Sequence, residues 1–108
     1  MDEAENGRVC SPKDFPEFWE CLVRRQGEMF YTAKGLSFTY QVRDGELFVD
    51  RRSKSITRAT VERAYRKLEE DKAHEIRGPK KLGVFGAPYL WAIFVSFGAA
   101  FTGEDQPR

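Results

Sequence analysis

Seven cations crowd into one stretch of this 108-residue sequence: Arg51, Arg52, Lys54, Arg58, Arg63, Arg66 and Lys67. The hydroxyls of Ser53, Ser55, Thr57 and Thr60 are interleaved with them, and only Asp50 and Glu62 oppose them locally. Guanidinium forks and hydroxyls contact phosphate oxygens, and the open N–H groups at a helix start add positive dipole. The stretch is therefore a candidate phosphate site, with nucleic acid as its most specific ligand and Arg77, Lys80 and Lys81 as an extension. The competing reading is a solvated helix face balanced by Glu69, Glu70 and Asp71, because charged faces of this kind are common and carry no base-reading geometry.

Other chemistry is thin. The one histidine, His74, sits among Lys72, Ala73 and Glu75 and reads as a solvated loop residue rather than a general base. Cys10 and Cys21 have neither CxxC spacing nor a histidine nearby, so they are expected as reduced thiols and not as metal ligands. No dinucleotide-binding, Walker or nucleophile-elbow motif occurs, and Gly83 and Gly86 are too sparse to cradle a phosphate. A non-catalytic protein with no cofactor and no metal is expected. The formal net charge of +1 argues neither for a polyanionic ligand nor against one, so only local charge can decide.

These residues need elements to hold them. Ser11 or Asp14 can cap a first helix running to about Arg25, with Phe15, Phe18, Trp19, Leu22 and Val23 on its apolar face. Leu36, Phe38, Tyr40 and Val42 alternate with polar residues, the period of a half-buried strand. Asp44-Gly45 predicts a type I′ hairpin pairing Arg43 with Glu46, Val42 with Leu47, and Tyr40 with Val49. Lys34-Gly35 predicts a second such turn, pairing Ala33 with Leu36, Tyr31 with Phe38, and Met29 with Tyr40. The result is a three-stranded antiparallel meander. Its outer face carries Phe30 and Phe48, rings that either stack bases, as exposed sheet aromatics do in single-strand binders, or are covered by a terminal helix.

Ser55 or Thr57 can cap a second helix to about Asp71, supported by the i, i+4 pairs Glu62–Arg66 and Arg66–Glu70. Residues 72–86 read as loop, and Pro88 opens a third helix to about Phe97. No charged residue occurs from Leu82 to Phe101, which is the length of a membrane span. Gly83, Gly86 and Pro88 interrupt that run, however, and the sheet and amphipathic helices need an apolar partner. The third helix is accordingly expected inside the fold or half in a homodimer interface made by Tyr89, Trp91, Phe94 and Val95, and no membrane partner is expected on these grounds. The thiols and the polar, acidic N-terminus point to a cytoplasmic setting.

Apolar residues make up 41% of the chain and charged residues 32%, a composition that folds. The sequence predicts one α+β domain over 12–101, ordered helix, meander, helix, helix, with flexible tails over 1–11 and 102–108. Two stretches, Ser55-Ile56-Thr57-Arg58 entering a helix and Gly78-Pro79 followed by Phe85-Gly86-Ala87-Pro88-Tyr89-Leu90-Trp91-Ala92-Ile93, join the Phe38-x-Tyr40-x-Val42 strand in a further pattern. Together they resemble small uncharacterised bacterial proteins carried on mobile elements such as integron gene cassettes, a resemblance that implies no activity and no ligand residues. The function expected from the residues is a non-catalytic nucleic-acid-binding module; the alternative is a homo-oligomeric interaction protein or small-molecule binder with an aromatic pocket.

Overall fold

A computed structural model describes residues 12–98; the two expected tails and Cys10 lie outside the described residues. Helix α1 (Phe15–Arg24) starts where Asp14 accepts a hydrogen bond from the Glu17 amide at 3.1 Å. The Glu17 carboxylate in turn takes the Lys13 amide at 3.0 Å, so two N-terminal donors are satisfied reciprocally. Its inward stripe is Phe15, Phe18, Trp19, Cys21 and Leu22, while Val23, expected on that face, is exposed.

Strands β1 (Phe30–Tyr31) and β2 (Ser37–Phe38) form one small antiparallel sheet, and β3 (Tyr40–Arg43), β4 (Glu46–Val49) and β5 (Ile56–Thr57) form another. The Asp44-Gly45 hairpin has the predicted register, Arg43↔Glu46, Val42↔Leu47 and Tyr40↔Val49. Both turn residues have positive φ, 52° and 73°, as a type I′ turn demands. The third strand of this meander comes from downstream: Glu46↔Thr57 and Leu47↔Ile56 pair β4 with β5.

The first hairpin departs from its predicted register by one residue, pairing Phe30↔Phe38 and Tyr31↔Ser37. Thr32 is the cause. Its carbonyl accepts from the Gly35 amide at 2.8 Å, its amide donates to the Leu36 carbonyl at 2.9 Å, and its hydroxyl accepts from the Leu36 amide at 3.1 Å. The loop is thus three residues long, with Gly35 left-handed at φ 89°, in place of a two-residue turn at Lys34-Gly35. A one-residue slip inverts every side chain. Phe30 consequently enters the core, and Tyr31 and Met29, expected inside, face water.

Helix α2 (Arg58–Glu70) is capped by Thr57, whose hydroxyl accepts from the Thr60 amide at 3.2 Å. Ser55, the other expected cap, donates its hydroxyl to Glu46. A 3₁₀ turn, Pro79–Leu82, lies inside the stretch predicted as loop, and helix α3 (Ala87–Ser96) follows. Among the described residues no helix is long and apolar enough to cross a membrane.

All three helices pack on one face of the sheets. The Phe18 ring meets Phe15, Tyr65, Phe94 and Phe97; Phe97 meets Phe30, and Phe38 meets Tyr89 edge-on. The Tyr40 hydroxyl donates to the Leu22 carbonyl at 2.8 Å, tying α1 to β3. After α1 the chain seals the β3 edge, the Gly27 amide donating to the Tyr40 carbonyl and the Gln26 side chain accepting from the Val42 amide, both at 2.9 Å. Among the described residues no helix lies over the opposite sheet face, which bears the exposed Gln41 and Arg43 and the half-buried Phe48.

One tight approach sets how α3 meets the sheet. A Cβ placed on Gly86, at φ 78°, would lie 2.3 Å from Ile56 Cδ1. Gly86→Ala therefore combines left-handed strain with overpacking against β5 and is expected to cost about 2–4 kcal/mol. Urea denaturation measures this; the matching change at Gly35, whose added Cβ meets nothing within 4 Å, costs only the backbone strain.

Candidate nucleic-acid interface

The structure divides the seven predicted cations instead of gathering them. On α2, Arg58 and Lys67 are nine residues apart, half a turn out of phase at 100° per residue, so they lie on opposite flanks. Arg58 turns to α1, its guanidinium carbon 5.3 Å from the Phe15 ring centroid and 5.0 Å from that of Trp19. Lys67 turns to the 3₁₀ turn, its ammonium donating to the Leu82 carbonyl at 3.0 Å and the Lys81 carbonyl at 3.4 Å. Those two cations have structural work: one clamps the α1–α2 contact and the other satisfies carbonyls that the 3₁₀ turn leaves open.

Arg63 and Arg66 share the outward face of α2. Arg66 is held by Glu62 at 2.7 Å and Glu69 at 3.7 Å; the expected partner Glu70 is not used. The hydrogen bond that Arg66 donates to Glu62, then that carboxylate's charge, push the Arg66 pKa further up. Arg63 is exposed and makes no ion pair among the described residues. Half of this face is therefore the self-balanced helix surface that the sequence offered as an alternative.

The loop between β4 and β5 is different. Arg52 and Lys54 both reach the half-buried Phe85 ring, each 5.2 Å from its centroid, which puts the two charges no more than about 10 Å apart. Neither makes an ion pair among the described residues. The guanidinium of Arg51 donates through Nε to the Ser37 carbonyl, and the side chain is otherwise exposed. The neighbouring carboxylate, Asp50, is occupied by the Thr39 amide at 3.1 Å. Three cations thus share a short loop with no anion of the described residues paired to them, Arg52 and Lys54 at a spacing comparable to the screening length in ordinary salt.

Phe85 is not among the site residues that the sequence suggests. It lies between two left-handed glycines, Gly83 and Gly86, and that pair of turn glycines is the only signal that its ring is presented by a bent loop rather than continued in a helix. Of the proposed extension, Lys80 and Lys81 are exposed on the 3₁₀ turn, and Arg77 donates to the His74 carbonyl at 3.0 Å. The loop leading there is pinned by Asp71, whose carboxylate accepts the Glu75 and Ile76 amides at 2.9 and 2.8 Å. Those bonds lower its pKa from the ordinary 3.8.

The bare sheet face holds the second set of groups. Phe48 is half-buried there with the Arg43 guanidinium 4.4 Å from its centroid, so Arg43 covers the ring and forms no ion pair with Glu46 opposite it. Phe30, the other ring expected on this face, is enclosed between Phe38, Tyr40 and Phe97; Tyr31, 62% exposed, takes its place outside. The proposed oligomer residues fall differently. Tyr89, Trp91 and Phe94 are buried within the single chain at 9%, 2% and 0% exposure, and only Val95 is half-buried.

No family model, curated protein or solved structure matches this chain.

Two outcomes follow from this geometry. Arg58→Ala should cost about 1 kcal/mol through its lost ring contacts, whereas Arg63→Ala should stay within about 0.5 kcal/mol of wild type in the same denaturant titration. The Glu75 and Ile76 amide resonances should titrate together with a midpoint below 3.8. Because the folded pKa is depressed, the stabilisation from Asp71 is complete above the unfolded value and is lost as pH falls through the folded one. Asp71→Ala removes that titration.

Proposed function

We propose that this protein is a non-catalytic binding module that holds the phosphate backbone of nucleic acid through the loop carrying Arg51, Arg52 and Lys54. The observation that carries the reading is the convergence of Arg52 and Lys54 on the Phe85 ring, with no carboxylate paired to either among the described residues. Two like charges held this close repel one another, and an anion between them relieves that repulsion. Arginine and lysine satisfy different parts of such a ligand, the fork matching phosphate oxygens and the ammonium acting as a mobile point charge. The exposed Lys80 and Lys81 add positive charge on the 3₁₀ turn, and Arg63 adds one cation on α2.

The reading is narrower than a basic helix. Arg58 and Lys67 are committed to the fold and Arg66 to its glutamates, so their contribution to a ligand is secondary. Contacts of the remaining kind position a phosphate chain and carry no sequence information, so binding without strong sequence preference is expected.

Fluorescence anisotropy with labelled DNA and RNA oligonucleotides, across a salt series, tests this. Saturable binding should weaken steeply with salt, and Arg52→Ala with Lys54→Ala should lower the slope of log affinity against log salt by about 2. Arg66→Ala should leave that slope nearly unchanged. Absence of binding at low salt, or a slope that depends on Arg66 and not on Arg52 and Lys54, would reject the site.

A further inference from the structure

The helices occupy one face of the sheets, and the other face presents a row of groups with a common chemistry. Tyr31 stands outward on β1 opposite Ser37, and Phe48 stands outward on β4 opposite Gln41. Ser37 and Gln41 belong to the two strands β2 and β3, which run on through Thr39 as one bent ribbon: Thr39 donates its amide to Asp50 and accepts the Asp50 amide at 3.0 Å. Four residues of strand separate the two positions along the ribbon, roughly 13 Å, and the rings stand one strand to either side of it.

From this arrangement we infer that this sheet face is a platform for single-stranded nucleic acid, with Tyr31 stacking one unpaired base and the Arg43 guanidinium laid over Phe48 stacking another. The inference rests on the phosphate-binding reading above and names which form of nucleic acid the site prefers. Charge complementarity selects the occupant. Arg43 stacks over Phe48 at 4.4 Å and Arg51 is anchored on the Ser37 carbonyl, so each ring position has a guanidinium beside it or beside its strand partner. Asp50 and Glu46 are held in place by the Thr39 amide and the Ser55 hydroxyl. Arg51 also begins the loop that carries Arg52 and Lys54, so the platform and the phosphate site are continuous through one residue.

An aromatic ring on an open sheet stacks any base that is not already stacked in a duplex, and flanking cations hold the connecting phosphates. A paired duplex offers its bases to neither position. Tyr31 suits this role because its exposure is not a packing failure of a core residue: the three-residue turn at Thr32 sets the register that turns it outward. Ser37, Thr39 and Gln41, between the two rings, offer hydroxyls and an amide that donate and accept.

The test compares single-stranded and duplex oligonucleotides of equal length, as DNA and as RNA, by anisotropy at one moderate salt concentration. Phosphate contacts alone favour the duplex, whose charge per length is higher. The platform predicts the reverse order, with single strands bound more tightly. Tyr31→Ala should weaken single-strand binding on the order of tenfold and leave duplex binding unchanged. Tyr31→Phe, which keeps the ring, should restore the preference. Phe48→Leu, which keeps apolar volume under Arg43, should lose it, and a circular dichroism melt close to wild type shows that the fold is intact. Duplex binding equal to or tighter than single-strand binding, unaffected by Tyr31→Ala but sensitive to Arg52 and Lys54, overturns the platform while the phosphate reading stands. No binding of either form overturns both.

Discussion

Helix α3 has almost no side that tolerates water. Tyr89 through Phe94 are all buried, and the helix has no charged residue with which to face solvent. An apolar helix of this kind must be enclosed on every side. Helices α1 and α2 supply part of the enclosure through Phe18 and Tyr65, and the strands supply the rest through Phe30, Phe38 and Ile56. Enclosure gathers all the helices on one face of the strands. Among the described residues the other face is left without a helix as a direct consequence, and the loop that must pass Phe85 to reach α3 is brought against the β4–β5 loop. The geometry proposed for ligand binding therefore follows from the way one helix is buried.

Much of this was legible in the sequence where two independent signals agreed. Asp44-Gly45 and the Tyr40-to-Val49 alternation give the same register, and the strands pair in it. Thr57, one of the two caps that the sequence offers for α2, follows from ordinary capping chemistry. Lys34-Gly35 predicts a two-residue turn in the first hairpin, but the Thr32 side chain closes a three-residue loop there. That difference exchanges Phe30 and Tyr31 between core and surface. Strand β5 was hidden because Ile56–Thr57 is two residues long and leads directly into a capped helix, so periodicity had nothing to act on.

The candidate site was less legible than the fold. Counting cations along a segment ignores their azimuth, and the 100° step of a helix already separates Arg58 from Lys67 by half a turn. Contact with α1 then commits Arg58 to the fold, its guanidinium held on the Phe15 and Trp19 rings. The meeting of Arg52 and Lys54 with Phe85 joins residues some thirty positions apart and has no local signature. A homodimer through Tyr89, Trp91 and Phe94 would require opening the core of the chain, because those side chains already contact its own strands and helices.

The most direct measurement is a map of amide chemical-shift changes when a single-stranded oligonucleotide is titrated into the labelled protein. The account predicts changes at Tyr31, Ser37, Gln41 and Phe48, continuous with Arg51 to Lys54 and Phe85, and small ones along the outward face of α2. Changes centred on Arg63 and Arg66, with the sheet face and the Arg52–Lys54 loop unmoved, would contradict it.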